Sequence, residues 1–351
     1  FNDDWMIGSF QFGGKRRTKD GGYNQDGVNP ENFNGDWVTP LMYDPNNQMS
    51  IFTMTNILYR SDDFGSTWNT LGNSLFTGNI QNAAISENSS TLAISNYNRL
   101  KISYDGGMTF TEVSQSLPNQ FITDIAFDPN DDDTIIVTYG TYGNNNQKVY
   151  LSNNQGNTWQ NITHNLGNMP IRSVVIDHTE ESTIYLGAEI GVYKKTMSED
   201  SWQLYNENLP NTTVMELEVV YGSNTLRGTT WGRGVWEYSL DGREDYPSIT
   251  TTRISNQPTD TQPKQGIDQF VTSTIQYDGE LNSVYVEWST ESNSEIIQMS
   301  NTSENLWVSN SAIPNFEAGT KVFFKVYAQS SSGLLSQTYK FMYEVRENVL
   351  C

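Results

Sequence analysis

One eight-residue pattern returns along the chain and limits what it can fold into: Ser-x-Asx-x-Gly-x-Thr-aromatic. It stands as Ser61, Asp63, Gly65, Thr67, Trp68, then as Ser103, Asp105, Gly107, Thr109, Phe110, then as Ser152, Asn154, Gly156, Thr158, Trp159. A worn copy ends at Ser201-Trp202. The aromatic positions are 68, 110, 159 and 202, so 42, 49 and 43 residues apart. The wide interval contains a Gly/Asn run, 140–147, with the composition of an insertion at a hairpin tip. A second marker keeps the same beat: Asp44-Pro45-Asn46 and Asp128-Pro129-Asn130 are 84 residues apart, and Asp177-His178 follows one repeat later.

Each repeat also alternates like strands. Ile122 to Phe127, Thr134 to Tyr139, Lys148 to Leu151 and Thr158 to Ile162 make four short strands in about 40 residues, the size of one propeller blade. The motif has a local logic. The Asx side chain accepts backbone hydrogen bonds in a tight turn, the Gly supplies a backbone shape other residues resist, and the aromatic ring packs between sheets. It is a folding device, and it supplies no catalytic residue.

These boxes resemble the BNR (Asp-box) repeats of sialidases, xyloglucanases, sortilin-type receptors and photosystem-assembly propellers. The run Leu226 to Tyr238, with Thr230-Trp231-Gly232-Arg233-Gly234-Val235-Trp236, resembles the closing strands of large bacterial BNR surface proteins. The resemblance implies an all-β fold: an Asp-box β-propeller over residues 1–245, incomplete at its N-terminus, because the stretch from Trp5 to Thr18 looks like a blade without its first part. Repeats start near Trp37, Ile80, Phe121 and Ile171, and a fifth without a box runs from Thr213 to Leu240.

Near Tyr246-Pro247 the beat stops, and Asp260-Thr261-Gln262 lies between two prolines. Residues 246–351 read as a β-sandwich. Val284, Val286 and Trp288 alternate onto one face. Lys321 to Ala328, followed by Ser330-Ser331-Ser332-Gly333, resembles the late hairpin of a fibronectin type III or immunoglobulin-like domain.

A net charge of −21 excludes a phosphate backbone as partner and disfavours anionic membranes. No apolar run is long enough to insert in a bilayer. The single cysteine, Cys351, rules out an intrachain disulfide, a pattern more typical of bacterial than of animal secretion. Calcium is the one candidate cofactor, with Asp20, Asn24 and Asp26 as ligands in a Gly-rich stretch, although the downstream Glu of an EF-hand is missing. Trp231 and Arg233 are the candidate ligand-binding residues. Trp231 and Trp236 have blade packing as their competing role.

The leading expectation is a non-enzymatic recognition or scaffold module of a larger exported bacterial surface protein, binding a glycan or a surface protein. The resemblance leaves two alternatives open: one lobe of a xyloglucanase-like hydrolase, or a component or cargo of a type IX-like export or adhesion complex. No catalytic residue is assigned. The sialidase Arg-Ile-Pro signature is missing, and acids such as Asp36 are too numerous to single out a pair.

Overall fold

A computed structural model describes residues 5–72, 75–143, 146–179, 181–254 and 263–348. The residues Asn144-Asn145, Asp260-Thr261-Gln262 and Cys351 lie outside the described residues. The first two-thirds of the chain is a six-bladed β-propeller of antiparallel sheets. Blade 1 holds β1 (Met6–Phe10), β2 (Gly14–Thr18) and β3 (Asp26–Gly27). Blade 2 holds β4 (Leu41–Asp44), β5 (Asn47–Met54), β6 (Leu58–Ser61) and β7 (Asn69–Leu71). Blade 3 holds β8 (Asn82–Ile85), β9 (Leu92–Asn96), β10 (Arg99–Ser103) and β11 (Thr111–Glu112). Blade 4 holds β12 (Ile122–Asp128), β13 (Asp131–Tyr139), β14 (Val149–Ser152) and β15 (Gln160–Asn161). Blade 5 holds β16 (Ile171–Ile176), β17 (Ile184–Ala188), β18 (Gly191–Lys195) and β19 (Gln203–Leu204). Blade 6 holds β20 (Val214–Val220), β21 (Thr225–Thr230) and β22 (Gly234–Ser239).

The repeat motif is the turn between the third and fourth strands, and its hydrogen bonds recur in each copy. In blade 2 the Ser61 hydroxyl donates to Asp63 Oδ1 at 2.8 Å and accepts the Gly65 N–H at 2.7 Å. Asp63 accepts the Thr67 N–H at 2.8 Å and the Thr67 hydroxyl at 2.7 Å. Ser103, Asp105, Gly107 and Thr109 repeat this, and so do Ser152, Asn154, Gly156 and Thr158 with one reversal: the Asn154 amide N–H donates to the Thr158 hydroxyl at 2.9 Å. Gly65 needs its φ of +86°, a left-handed value that a Cβ resists.

The turn then delivers its aromatic ring to the preceding blade. The indole N–H groups of Trp68, Trp159 and Trp202 donate to the carbonyls of Val28, Val113 and Ile162 at 3.0, 3.0 and 2.9 Å. Phe110 has no such donor and packs against the core shared by blades 2 and 3. Four apolar layers fill the joints from blade 2 to blade 6, with Phe52 and Ile94, Ile102 and Val137, Leu151 and Leu186, and Tyr185 and Val214 among their members.

A further box appears where the sequence suggested a metal. Thr18 donates to Asp20 and accepts from Gly22 N–H at 2.9 Å, and Asp20 accepts from the Asn24 backbone at 2.9 Å and side chain at 2.6 Å. This turn joins β2 to β3, so among the described residues blade 1 shows no first strand of the four and blade 6 no fourth.

The last eight strands form one sheet: β23 (Ser248–Ile254), β24 (Val271–Gln276), β25 (Leu281–Ser289), β26 (Ser294–Ser303), β27 (Leu306–Ser309), β28 (Lys321–Ser330), β29 (Leu335–Gln337) and β30 (Phe341–Glu344). The order is β23-β24-β27-β26-β25-β28-β29, with β30 also on β28. A sandwich has two separate sheets, and here β26 joins them. Its first half pairs with β25 and its second half with β27. The sheet closes over one core that includes Ile275, Val286, Trp288, Val322 and Phe324.

This unit docks on the propeller through side chains that ring packing and hydrogen bonds hold together. Tyr339 donates to the Val219 carbonyl and stacks on Tyr221 at 4.3 Å, and Tyr221 stacks on His178 at 4.0 Å. Gln48 donates to the Lys340 carbonyl at 2.5 Å and accepts the Met342 N–H at 2.9 Å.

Trp202 is 3% exposed and carries both an apolar contact and a hydrogen bond. Trp202→Ala is expected to cost about 3–5 kcal/mol in denaturant unfolding, and Trp202→Phe only about 1 kcal/mol for the lost bond. Equal losses in the two variants would show that ring burial is not what joins blades 4 and 5.

Candidate functional site

Strand alternation divides the propeller into two ends. The first turn of each blade and the box turns share one end, and Tyr339 and Lys340 dock there. The turns from second to third strand share the other end, here called the mouth. Five such turns carry a large apolar side chain in solvent: Phe12 (56% exposed), Tyr97 (54%), Tyr142 (67%), Ile190 (51%) and Trp231 (74%). Trp37, in the connection from blade 1 to blade 2, adds to this rim edge-on to Phe12 at 5.3 Å.

Backbone hydrogen bonds hold Trp231 in place. Its N–H donates to Thr213 O at 2.9 Å, and Thr212 donates to its carbonyl at 3.2 Å. Gly232 and Gly234 take φ values of +78° and +77°, and Thr230 closes the turn onto the Gly234 carbonyl at 2.8 Å. The Trp231 ring therefore stands in solvent, and Trp236, the other blade-packing candidate, is itself 38% exposed. Arg233 is exposed in the same turn, and its carbonyl accepts the Trp236 indole N–H at 3.0 Å.

Just below the rim, the inner strands of blades 4, 5 and 6 each carry a β-bulge at the second residue: Thr123, Arg172 and Met215. A bulge re-aims the side chain that follows it. Those next residues are Asp124, Ser173 and Glu216. Asp124 spans two blades: Oδ1 accepts the Ile125 N–H and Oδ2 accepts the Val174 N–H, both at 2.8 Å. Burial pushes its pKa up to about 8, with Glu216 adding repulsion. Glu216 is raised too, by burial and then by Glu218. Glu216 is exposed and Asp124 half-buried. The Ser173 hydroxyl has no hydrogen-bond partner. Nearby, Arg172 pairs with Glu189 at 2.9 Å, and Glu189 also raises Tyr142.

Asp124 and Glu216 were not singled out from sequence. Aligning the repeats on their boxes would have revealed them, since Asp124, Ser173 and Glu216 occupy one repeat position. As a catalytic pair they are poorly arranged. Glycoside hydrolysis wants one carboxyl protonated and the other ionised, and here both pKa values move up together while both Asp124 oxygens are already held by backbone.

The three candidate calcium ligands stand in and beside the blade 1 box. Asp20 and Asn24 bond to each other within the turn, and Asp26 pairs with Arg17 at 3.6 Å. Among the described residues no group of three or more His, Cys, Asp or Glu side chains is placed to hold a metal ion. Likewise no helix among them is long and apolar enough to cross a membrane.

The chain's likenesses agree with this architecture. The family model described as "Sortilin, neurotensin receptor 3" matches residues 56–188. No curated protein matches by sequence. Among solved structures, the GH74 enzyme of Niastella koreensis aligns with a TM-score of 0.54 at 13% identity, over 95% of this chain and 70% of that one. The GH74 xyloglucanase of Xanthomonas campestris aligns with a TM-score of 0.56 at 11% identity, over 95% and 65%. YCF48 from Cyanidioschyzon merolae aligns with a TM-score of 0.50 at 17% identity, over 67% and 79%. At such identities the shared property is the β-propeller fold.

Asp124 has a consequence for pH. Between the ordinary 3.8 and about 8 the folded chain holds a proton here that the unfolded chain releases. The group's contribution to stability therefore falls as pH rises through that window. Asp124→Asn is expected to flatten this part of the unfolding-midpoint profile against pH. A variant profile parallel to wild type would mean that the carboxyl is ionised in the fold.

Proposed function

We propose that this chain is a non-enzymatic recognition module of a large exported bacterial surface protein, and that its mouth binds a neutral glycan. The observation that carries this is the rim: five equivalent turns each hold a large apolar side chain out in solvent. Rings held in that way offer flat platforms to the apolar faces of sugars. The net charge of −21 argues against an anionic ligand. The polar groups beneath the rim, Glu216 and the Arg172–Glu189 pair, supply hydrogen bonds for hydroxyls. The match to a family described as a receptor supports a binding role over residues 56–188.

In the same proposal, residues 1–245 form the propeller and 246–351 a fibronectin- or immunoglobulin-like spacer. The strand order supports this, because β23, β24 and β27 neighbour one another, as do β26, β25, β28 and β29. The docked spacer leaves the mouth uncovered.

The test is titration calorimetry with neutral oligosaccharides, xyloglucan fragments included, alongside an assay for new reducing ends. Binding without cleavage is expected, weakened at least tenfold by Trp231→Ala or Tyr142→Ala. Release of reducing ends that disappears in Glu216→Gln would replace this proposal with the hydrolase. Binding indifferent to the rim variants would move the site elsewhere.

A further inference from the structure

Blade 6 is the one described blade with neither a box nor a fourth strand. In blades 2 to 5 a short fourth strand follows the box aromatic and covers the third strand. In blade 5, β19 pairs with β18 through Tyr193↔Leu204 and Lys194↔Gln203. The run Gly191-Val192-Tyr193-Lys194-Lys195 corresponds to Gly234-Val235-Trp236-Glu237-Tyr238, so the matching positions on β22 are Trp236 and Glu237. Among the described residues β22 pairs only with β21, and all of it but Ser239 is exposed. An uncovered edge of this kind is a template for strand addition.

Beside that edge lies a cavity of about 230 Å³ between blades 5 and 6. Its walls include Tyr205, Leu209, Val214, Leu217, Trp236 and Tyr238. The place is significant because of what fills the same joint elsewhere. Trp159 reaches back to Val113, the residue after β11, and Trp202 reaches back to Ile162, the residue after β15. The residue after β19 is Tyr205. The cavity thus sits where a blade 6 box tryptophan would go. Its volume exceeds the roughly 150 Å³ that admits a benzene ring into an apolar protein cavity.

We infer that blade 6 is a docking site for an extended segment of another protein that carries a tryptophan. The segment adds to β22 as a fourth strand, beside Trp236 and Glu237, and its indole enters the cavity at Tyr205. The occupant's chemistry is read from the protein's own repeats, which fill the equivalent joints with Trp159 and Trp202. Glu207, whose carboxylate accepts the Tyr238 hydroxyl, lines the cavity and favours a basic neighbour on the segment, whereas Glu237 is already paired with Arg227 at 2.7 Å. This site reaches Thr230 at the base of the Trp231 turn, but it uses none of the rim side chains and does not depend on the glycan proposal.

The test uses the full chain and an acetylated, amidated octapeptide copying residues 156–163, which includes Trp159 and the β15 strand. Fluorescence anisotropy should show saturable binding, weakened at least tenfold when the peptide's tryptophan becomes alanine. The same peptide with a benzophenone in place of the indole should cross-link to β22 or Tyr205. No binding, equal binding of the alanine peptide, or cross-links confined to other blades would each overturn the inference. A dimer in sedimentation that buries β22 and resists the peptide would overturn it in favour of a second copy of the chain.

Discussion

The joint between neighbouring blades rests on a single repeated device. A hydroxyl and an Asx side chain cage a tight turn, and the caged turn aims an aromatic ring at the carbonyl of the blade before it. Each sheet alone has two apolar faces and cannot remain single in water. Because the ring is delivered from the outer turn, blades 2 to 5 are each fixed to their predecessor at the periphery as well as through the inner strands. The left-handed glycine matters here: without it the Ser61, Gly65 and Thr67 bonds to one turn cannot form together, and the Trp68 ring loses its aim.

The same device explains why the two ends of the propeller differ. Box turns occupy one end, where they are rigid and polar, and the last sheet covers part of that end through Tyr339, Tyr221 and His178. The mouth turns carry no such cage and are free to vary in length and content. Blade 4 uses that freedom for a long Gly/Asn loop, and blade 6 for Trp231. Under the mouth, the three bulges set a carboxyl, a hydroxyl and a second carboxyl at one depth. They form a polar floor beneath an apolar rim. Asp124 also ties β12 to β16, so part of this floor is structural.

Much of this was legible in advance. The box spacing gave the blade length, the insertion after Gly140 and the start of each inner strand, because a cage of hydrogen bonds needs those residue types at those intervals. The blade 1 box was not legible as one, since Thr18 and Asn24 replace the usual Ser and Thr. Asp124 and Glu216 were invisible as single residues in so acidic a chain. Their shared repeat position held the signal, and only the bulges show which way they point.

By itself the sequence determined local structure: alternation, tight turns and the ring that each turn carries, all set by interactions within about eight residues. It also set the net charge of −21. Only the tertiary structure decided which aromatics are buried and which stand in solvent, as Trp202 and Trp231 show. It also decided that β26 joins the last sheet into one, and that a box-tryptophan cavity opens beside β22. The reason is that burial is a property of neighbours. A tryptophan's fate depends on whether another blade lies against it, and that contact spans dozens of residues that no local pattern encodes.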